Sequence, residues 1–159
     1  MPEGDRLIYW DADVFLSYVN GMTDRLAHLD AFLEKSGKDI QIITSTISIV
    51  EVAFGKAEID GKVLDKETEE KISRLWGTNS PIKLVEVFPE IGNGARGLMR
   101  YGLTQGWKLK PMDAIHLSTA LNQRVVEFHT YNSHDFQKWI PEVGFKICEP
   151  ISDTPKLPL

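Results

Sequence analysis

Cysteine is almost absent from the chain: Cys148 stands alone, which rules out an internal disulfide and a cysteine-rich zinc site and fits a reducing compartment. Positive charge is also in deficit. Lys and Arg number 18 against 23 Asp and Glu, a net charge of −5. Such a chain does not grip nucleic acid by bulk charge, although a local basic patch or bound cations would serve. Long apolar runs are missing as well. Charge interrupts each of them within about ten residues, too short to span a bilayer. The N-terminus has no basic stretch followed by an apolar one, so no signal peptide is expected. Both absences lead to the expectation of a cytoplasmic protein away from membranes. Internal repeats and low-complexity segments are lacking too. What is present suits one globular domain: 159 residues, 42% hydrophobic and 26% charged. A single domain over 1–159 is expected, with its core in 5–150 and tails in "MPEGD" and "EPISDTPKLPL".

Strand and helix patterns alternate along the chain. Residues 7–12 read as a strand and "VFLSYVNG" as a short helix closed by Gly21. Thr23 caps a second helix with Leu26, Leu29, Phe32 and Leu33 at helical spacing, and Asp24 falls in its first turn, where the dipole favours negative charge. "DIQIITS" is the next strand, followed at once by a helix over "TISIVEVAFGKAEI". "DKETEEKISRLWG" is a polar helix with a narrow apolar stripe and a stop at Gly77. "IKLVEVF" is a third strand, and residues 90–105 read as a helix weakened by Gly92, Gly94, Gly97 and Gly102. "KPMDAIHLSTALNQ" places Pro111 at the first helical position and Asp113 in the first turn. "VVEFHT" and "FKICEP" supply a fourth and a fifth strand. This alternation predicts an α/β fold on a central, mostly parallel sheet of four or five strands. Ligands of such sheets bind at the carboxyl ends of the strands.

Those ends are acidic. The apolar run Leu7–Trp10 stops at Asp11, and Asp13 follows. Glu51 lies between one and two turns into the helix after the second strand, beside Ile47, Val50 and Phe54. Asp113 opens a later helix, and Asn132 and Asp135 follow the strand that ends at Thr130. Each has a plain structural alternative. Asp11 reads as a helix cap, Asp13 as a cap or turn residue, and Glu51 as an edge residue reaching solvent. Asp113 reads as a dipole partner, Asp135 as a helix start and Asn132 as a turn residue. As a set they converge on one rim. Two carboxylates about 4 Å apart repel by roughly 4 kcal/mol at an effective dielectric of 20. A cluster of such groups either retains protons or takes up cations. Hard oxygen ligands favour Mg²⁺ or Mn²⁺ over zinc, and paired ions of this kind are a common device for hydrolysing phosphodiesters.

Four stretches in order, "IYWDADVFLSYV", "TSTISIVEV", "LKPMDAIHLSTAL" and "FHTYNSHDF", resemble the PIN-domain family, and within it the VapC-like toxins of bacterial and archaeal toxin–antitoxin pairs. The resemblance implies a three-layer α/β/α domain and an endoribonuclease dependent on one or two Mg²⁺ or Mn²⁺ ions. Asp11, Glu51 and Asp113 match the family's three best-defined acids. By that match Asp11 and Asp113 would hold the main ion, and Glu51 would help to place the attacking water. The family often has Asp two residues after the Thr that ends the fourth strand, where this chain has Asn132. Asp135 is the nearest acid and is taken as the fourth, with Asn132 a neutral ligand through its carbonyl or a water. Thr46, Thr130 and Asp13 would support the ligands from behind, although Thr46 reads equally as a cap. The resemblance further implies two partners: a second copy of the chain, and an antitoxin whose Arg or Lys plugs the acidic site.

Arg96, Arg100, Lys108 and Lys110 are candidates for contacts to an RNA backbone, or else ordinary solvated surface. His116, one turn after Asp113, reads as a structural histidine, and the four Trp show no stacking pattern for single strands. Two other functions compete. A PIN-like module without catalysis, suggested by Asn132, would bind RNA or protein without turnover. A receiver domain would need a phosphoacceptor Asp after a central strand and a Lys after the last one, a pair that cannot be placed here.

Overall fold

Five strands form one parallel sheet at the centre of the computed structural model, which describes residues 6–156. They are β1 (Arg6–Trp10), β2 (Ile40–Ser45), β3 (Ile82–Val85), β4 (Glu127–His129) and β5 (Lys146–Cys148). The order is β3-β2-β1-β4-β5 and every neighbouring pair is parallel. Helices α1 (Ala12–Val19), α2 (Thr23–Lys35) and α5 (Lys66–Trp76) cover one face. Helices α6 (Pro89–Thr104) and α7 (Pro111–Asn122) cover the other. This is the expected three-layer α/β/α fold.

The sheet explains the apolar run of β1. Successive side chains of a strand point to opposite faces, and a central parallel strand is covered on both. Ile8 and Trp10 enter a core with Phe15, Leu29 and Leu75. Tyr9 enters a second core with Ile91, Leu117 and Phe128. Ile8, Tyr9 and Trp10 are buried, and after the exposed Arg6 no polar side chain interrupts the strand before Asp11.

Two local expectations are corrected. "TISIVEVAFGKAEI" is not one helix but α3 (Ile47–Glu51) and α4 (Lys56–Gly61). Side chains capture the backbone N–H groups that a continuous helix would need. Gly55 N–H donates to Glu58 Oε1 at 3.0 Å, and Lys56 N–H donates to Asn20 Oδ1 at 2.8 Å. Thr23 does not cap α2: Met22 occupies the cap position, without a side-chain cap bond. The stretch after β4 is partly helical, with α8 (Ser133–Phe136), a 3₁₀ turn (Gln137–Trp139) and α9 (Ile140–Val143). The stretch "MPEGD" lies outside the described residues, while residues 149–156 run back over α2, where Lys156 N–H donates to Ala27 O at 2.8 Å.

Two glycines of α6, Gly94 and Gly102, find their reason in packing, whereas a Cβ at Gly92 or Gly97 would meet open space. An added Cβ at Gly94 would stand 2.5 Å from Ser118 Oγ on α7. That hydroxyl is itself held by the Ile91 carbonyl at 2.7 Å. Gly94→Ala is therefore expected to lower stability by about 1–2 kcal/mol in urea unfolding, because overpacking outweighs the gain in helix propensity. An unchanged or raised midpoint would show that α6 shifts freely on α7.

Candidate metal centre

The strand order reverses at β1, since the chain proceeds to β2 and β3 on one side and to β4 and β5 on the other. The carboxyl ends of β1 and β4 open a crevice there, the usual ligand position of such sheets. Asp11 leaves β1 at this point. Its backbone N–H donates to the His129 carbonyl at 3.3 Å, which seats it between the two strands. It occupies the cap position of α1 but makes no side-chain cap bond. Its carboxylate is buried, and Oδ1 has no hydrogen-bond partner among the described residues. Burial, and then the neighbouring Asp13, pushes the Asp11 carboxyl well above the ordinary carboxylate range.

Asp13 braces the crevice. Its Oδ2 accepts the Thr130 hydroxyl at 3.1 Å and its Oδ1 accepts the Tyr131 N–H at 3.1 Å. Glu51 ends α3, and its Oε1 lies 2.6 Å from Nε2 of the buried His116. Asp113 sits in the first turn of α7, after Pro111 at the start. Burial is the main cause that raises its carboxyl above the usual range.

These groups line one cleft of about 320 Å³, formed by Asp11, Asp13, Glu51, Asp113, His116 and Asn132 with three apolar neighbours. No Lys or Arg is among its lining residues. A larger cleft of about 920 Å³ between α2, α5 and residues 77–82 mixes Lys71 and Arg74 with Asp30 and Glu34 and gathers no acidic cluster.

The structure thus brings Asp11, Glu51 and Asp113 together and adds Asp13, which the sequence placed behind them. Asp135 is not among the cleft's lining residues: it is exposed on α8, and its Oδ2 accepts Asn132 Nδ2 at 3.0 Å. That bond uses the Asn132 amide nitrogen and not its side-chain oxygen. Thr130 braces Asp13, and its Oγ1 also accepts the Asn132 N–H at 3.0 Å. Thr46 donates its backbone N–H to Val85 O at 3.0 Å and makes no side-chain cap bond. The hydroxyls that tie β2 to the end of β1 are those of Thr44 and Ser48: Thr44 donates to Trp10 O at 2.7 Å and pairs with Ser48 at 2.7 Å. Arg96, Arg100 and Lys108 are exposed and outside the cleft lining. Lys110 precedes α7, and its charge acts on Asp113. His116, which the sequence places one turn after Asp113 and which reads there as a structural histidine, is both structural and part of the site: it is buried and hydrogen-bonded, and it lines the cleft. Its spacing of three from Asp113 puts the two residues on one helix face.

The cleft suits a hard divalent cation: oxygen donors dominate, one buried carboxylate oxygen lacks a partner among the described residues, and no Lys or Arg lines it. A second cluster, Glu127, His129 and Cys148, has ligand-type atoms within 4.8 Å of one another. It does not suit a metal. The Trp10 indole N–H donates to His129 Nδ1 at 3.1 Å, which keeps the ring proton on Nε2, where a metal would need a lone pair. That proton instead faces Glu127 Oε1 at 3.1 Å. Burial also holds the Cys148 thiol up at about 11, far from the thiolate a metal requires.

Comparison with known proteins gives the family and the fold. The PIN domain profile matches residues 8–139, and the chain belongs to that family. PIN domains are nucleases that use divalent metal ions. The fold is shared with VapBC2 from Rickettsia felis bound to a DNA fragment from its promoter, at 16% identity and a TM-score of 0.63 over 92% of this chain and 99% of that one. It is also shared with VapBC-1 from nontypeable Haemophilus influenzae, at 13% identity and a TM-score of 0.65 over 90% and 97%. A toxin–antitoxin complex from Klebsiella pneumoniae matches at 22% identity and a TM-score of 0.53 over 81% and 89%. No curated protein matches this chain in sequence.

Proposed function

We propose that this chain is an endoribonuclease dependent on Mg²⁺ or Mn²⁺, and the toxin of a toxin–antitoxin pair. The observation that carries the reading is the buried Asp11 carboxylate, with one unpartnered oxygen, in a cleft lined by Asp13, Glu51 and Asp113 and by no cation. Asp11 and Asp113 would hold the ion, with Glu51 beside them and the Asn132 carbonyl as a neutral donor. When bound, such an ion lowers the pKa of water and stabilises charge on a phosphodiester in its transition state. The chain's own part is to hold oxygen donors at fixed places. Thr130 and the Tyr131 N–H immobilise Asp13, and Asp135 orients the Asn132 amide. Lys110 is the best placed of the four basic candidates to meet an RNA phosphate, since its charge already reaches Asp113.

The solved relatives support the partner: each of the three is described as a VapBC assembly or a toxin–antitoxin complex. An antitoxin presenting Arg or Lys would suit a cleft that has acids and no cation of its own. A homodimer is the proposed state, and light scattering should then give twice 18.0 kDa. The activity is tested by incubating the purified protein with folded RNAs under Mg²⁺, Mn²⁺ or EDTA. Discrete cuts that require metal and vanish in Asp113→Asn are expected. Tight RNA binding without cuts at any Mn²⁺ concentration would favour the non-catalytic module that Asn132 suggests.

A further inference from the structure

Behind the acidic cleft runs a chain of hydrogen bonds that starts at the Ser45 backbone and ends on Glu51. The Ser45 N–H donates to Tyr9 Oη at 3.1 Å. The phenol proton is thereby directed elsewhere, and His116 Nδ1 stands 2.6 Å from the same oxygen. An accepting Nδ1 leaves the ring proton on Nε2, and Nε2 faces Glu51 Oε1 at 2.6 Å. Both rings are locked. Tyr9 stacks on Phe128 with centroids 5.1 Å apart and meets His116 edge-on at 5.6 Å. Tyr9 and His116 are each almost wholly buried, at 0% and 1% exposure.

We propose that His116 is a positioning residue for the metal centre: held by Tyr9 as the Nε2–H tautomer, it donates to Glu51 and fixes that carboxylate's orientation toward the cleft. This rests on the reading of the cleft as a divalent-cation site. The device solves a local problem. Glu51 is the last residue of a five-residue helix, and the chain departs from helical geometry at Val52. A side chain in that place has little local restraint of its own, and metal ligands held from behind bind more tightly than loose ones. The anchoring elements are rigid: β1 provides Tyr9, β2 provides Ser45 and α7 provides His116.

The test compares wild type, His116→Gln and His116→Leu. Gln retains an N–H donor near the place of Nε2, and Leu does not. Mn²⁺ affinity is measured by calorimetry, and the His116 tautomer is read from long-range ¹H–¹⁵N spectra of the metal-free protein in EDTA. We expect the Nε2–H tautomer, a 10–100-fold loss of Mn²⁺ affinity in His116→Leu and a loss within about 3-fold in His116→Gln. Tyr9→Phe should leave a mixture of tautomers, which keeps the hydrogen-bond chain testable if His116→Leu does not fold. An Nδ1–H tautomer in wild type, or equal Mn²⁺ affinity in folded wild type and His116→Leu, would overturn the positioning role alone. Wild-type protein that binds no Mn²⁺ would overturn the cation-site reading and this role with it.

Discussion

Asp11→Asn is expected to abolish RNA cleavage, by about 10³-fold or more, and at the same time to make the metal-free protein more stable. The two effects have one cause. Asp11 is buried beside Asp13, and its carboxyl titrates well above its ordinary range because burial and that neighbour oppose its charge. A folded-state pKa raised above the unfolded one means that ionisation at neutral pH works against the fold. Asn keeps the shape and removes the charge. In EDTA at pH 7 a gain of about 1–4 kcal/mol is expected, the range of a like-charge contact between bulk water and an effective dielectric of 20. The same linkage predicts that the wild-type advantage of acidification, a rise in stability as pH falls toward the unfolded Asp value near 4, is absent from the variant. Mn²⁺ reverses the order. An ion that binds only the folded wild type adds about 2.7 kcal/mol at a hundred times its dissociation constant, and Asp11→Asn forgoes that gain. Thermal unfolding in EDTA and in Mn²⁺ reads both. A variant less stable than wild type in EDTA would mean that Asp11 is a structural cap and not a ligand in waiting.

The second large effect concerns Glu127, on the far side of β4. The His129 N–H, with help from Arg6, holds its carboxyl down at about 2 against the opposing effect of burial. A depressed folded-state pKa stabilises the protein above the unfolded value, near 4.5, and that contribution disappears as pH falls toward 2. His129 acts at higher pH. Burial lowers its pKa from 6.5, so the folded state resists the proton that the unfolded state accepts, and stability declines as pH falls below 6.5. These two groups therefore each contribute a step of lost stability on acidification, opposite in sign to the gain from Asp11. Glu127→Gln should cost on the order of 1–2 kcal/mol at pH 7, a figure discounted because solvent reaches the carboxylate, and should erase the lower step. Urea midpoints from pH 7 to pH 2.5 measure this. Superimposable profiles for the two proteins would refute it. Because this cluster does not suit a metal, the variant should leave Mn²⁺ binding unchanged.

Much of the architecture could be read along the chain because its determinants are local. Alternating strand and helix patterns, Pro111 opening α7 and Gly77 ending α5 involve neighbours in sequence. The acids after β1 and in the first turn of α7 stand out for the same reason: a charge that stops an apolar strand, or opens a helix, is visible without knowing what faces it. The break between α3 and α4 was not visible. It depends on Asn20, 36 residues away, accepting the Lys56 N–H, and on a glutamate that turns back to its own helix start.

The sequence by itself determined the strand order's raw material, an α/β chain with acids at its strand ends, since hydrophobic period and capping chemistry are properties of short segments. Only the tertiary structure decided which acids share a cleft. Asp13 enters it because its two oxygens are claimed by Thr130 and Tyr131, residues 117 and 118 positions away. Asp135 stays at the surface because α8 turns its carboxylate toward Asn132. His116 meets Glu51 across 65 residues because α7 packs over the sheet with that face inward. Such contacts are set by the roll of one helix against another element, and a rotation of a fraction of a turn would exchange a ligand's support for a solvated side chain.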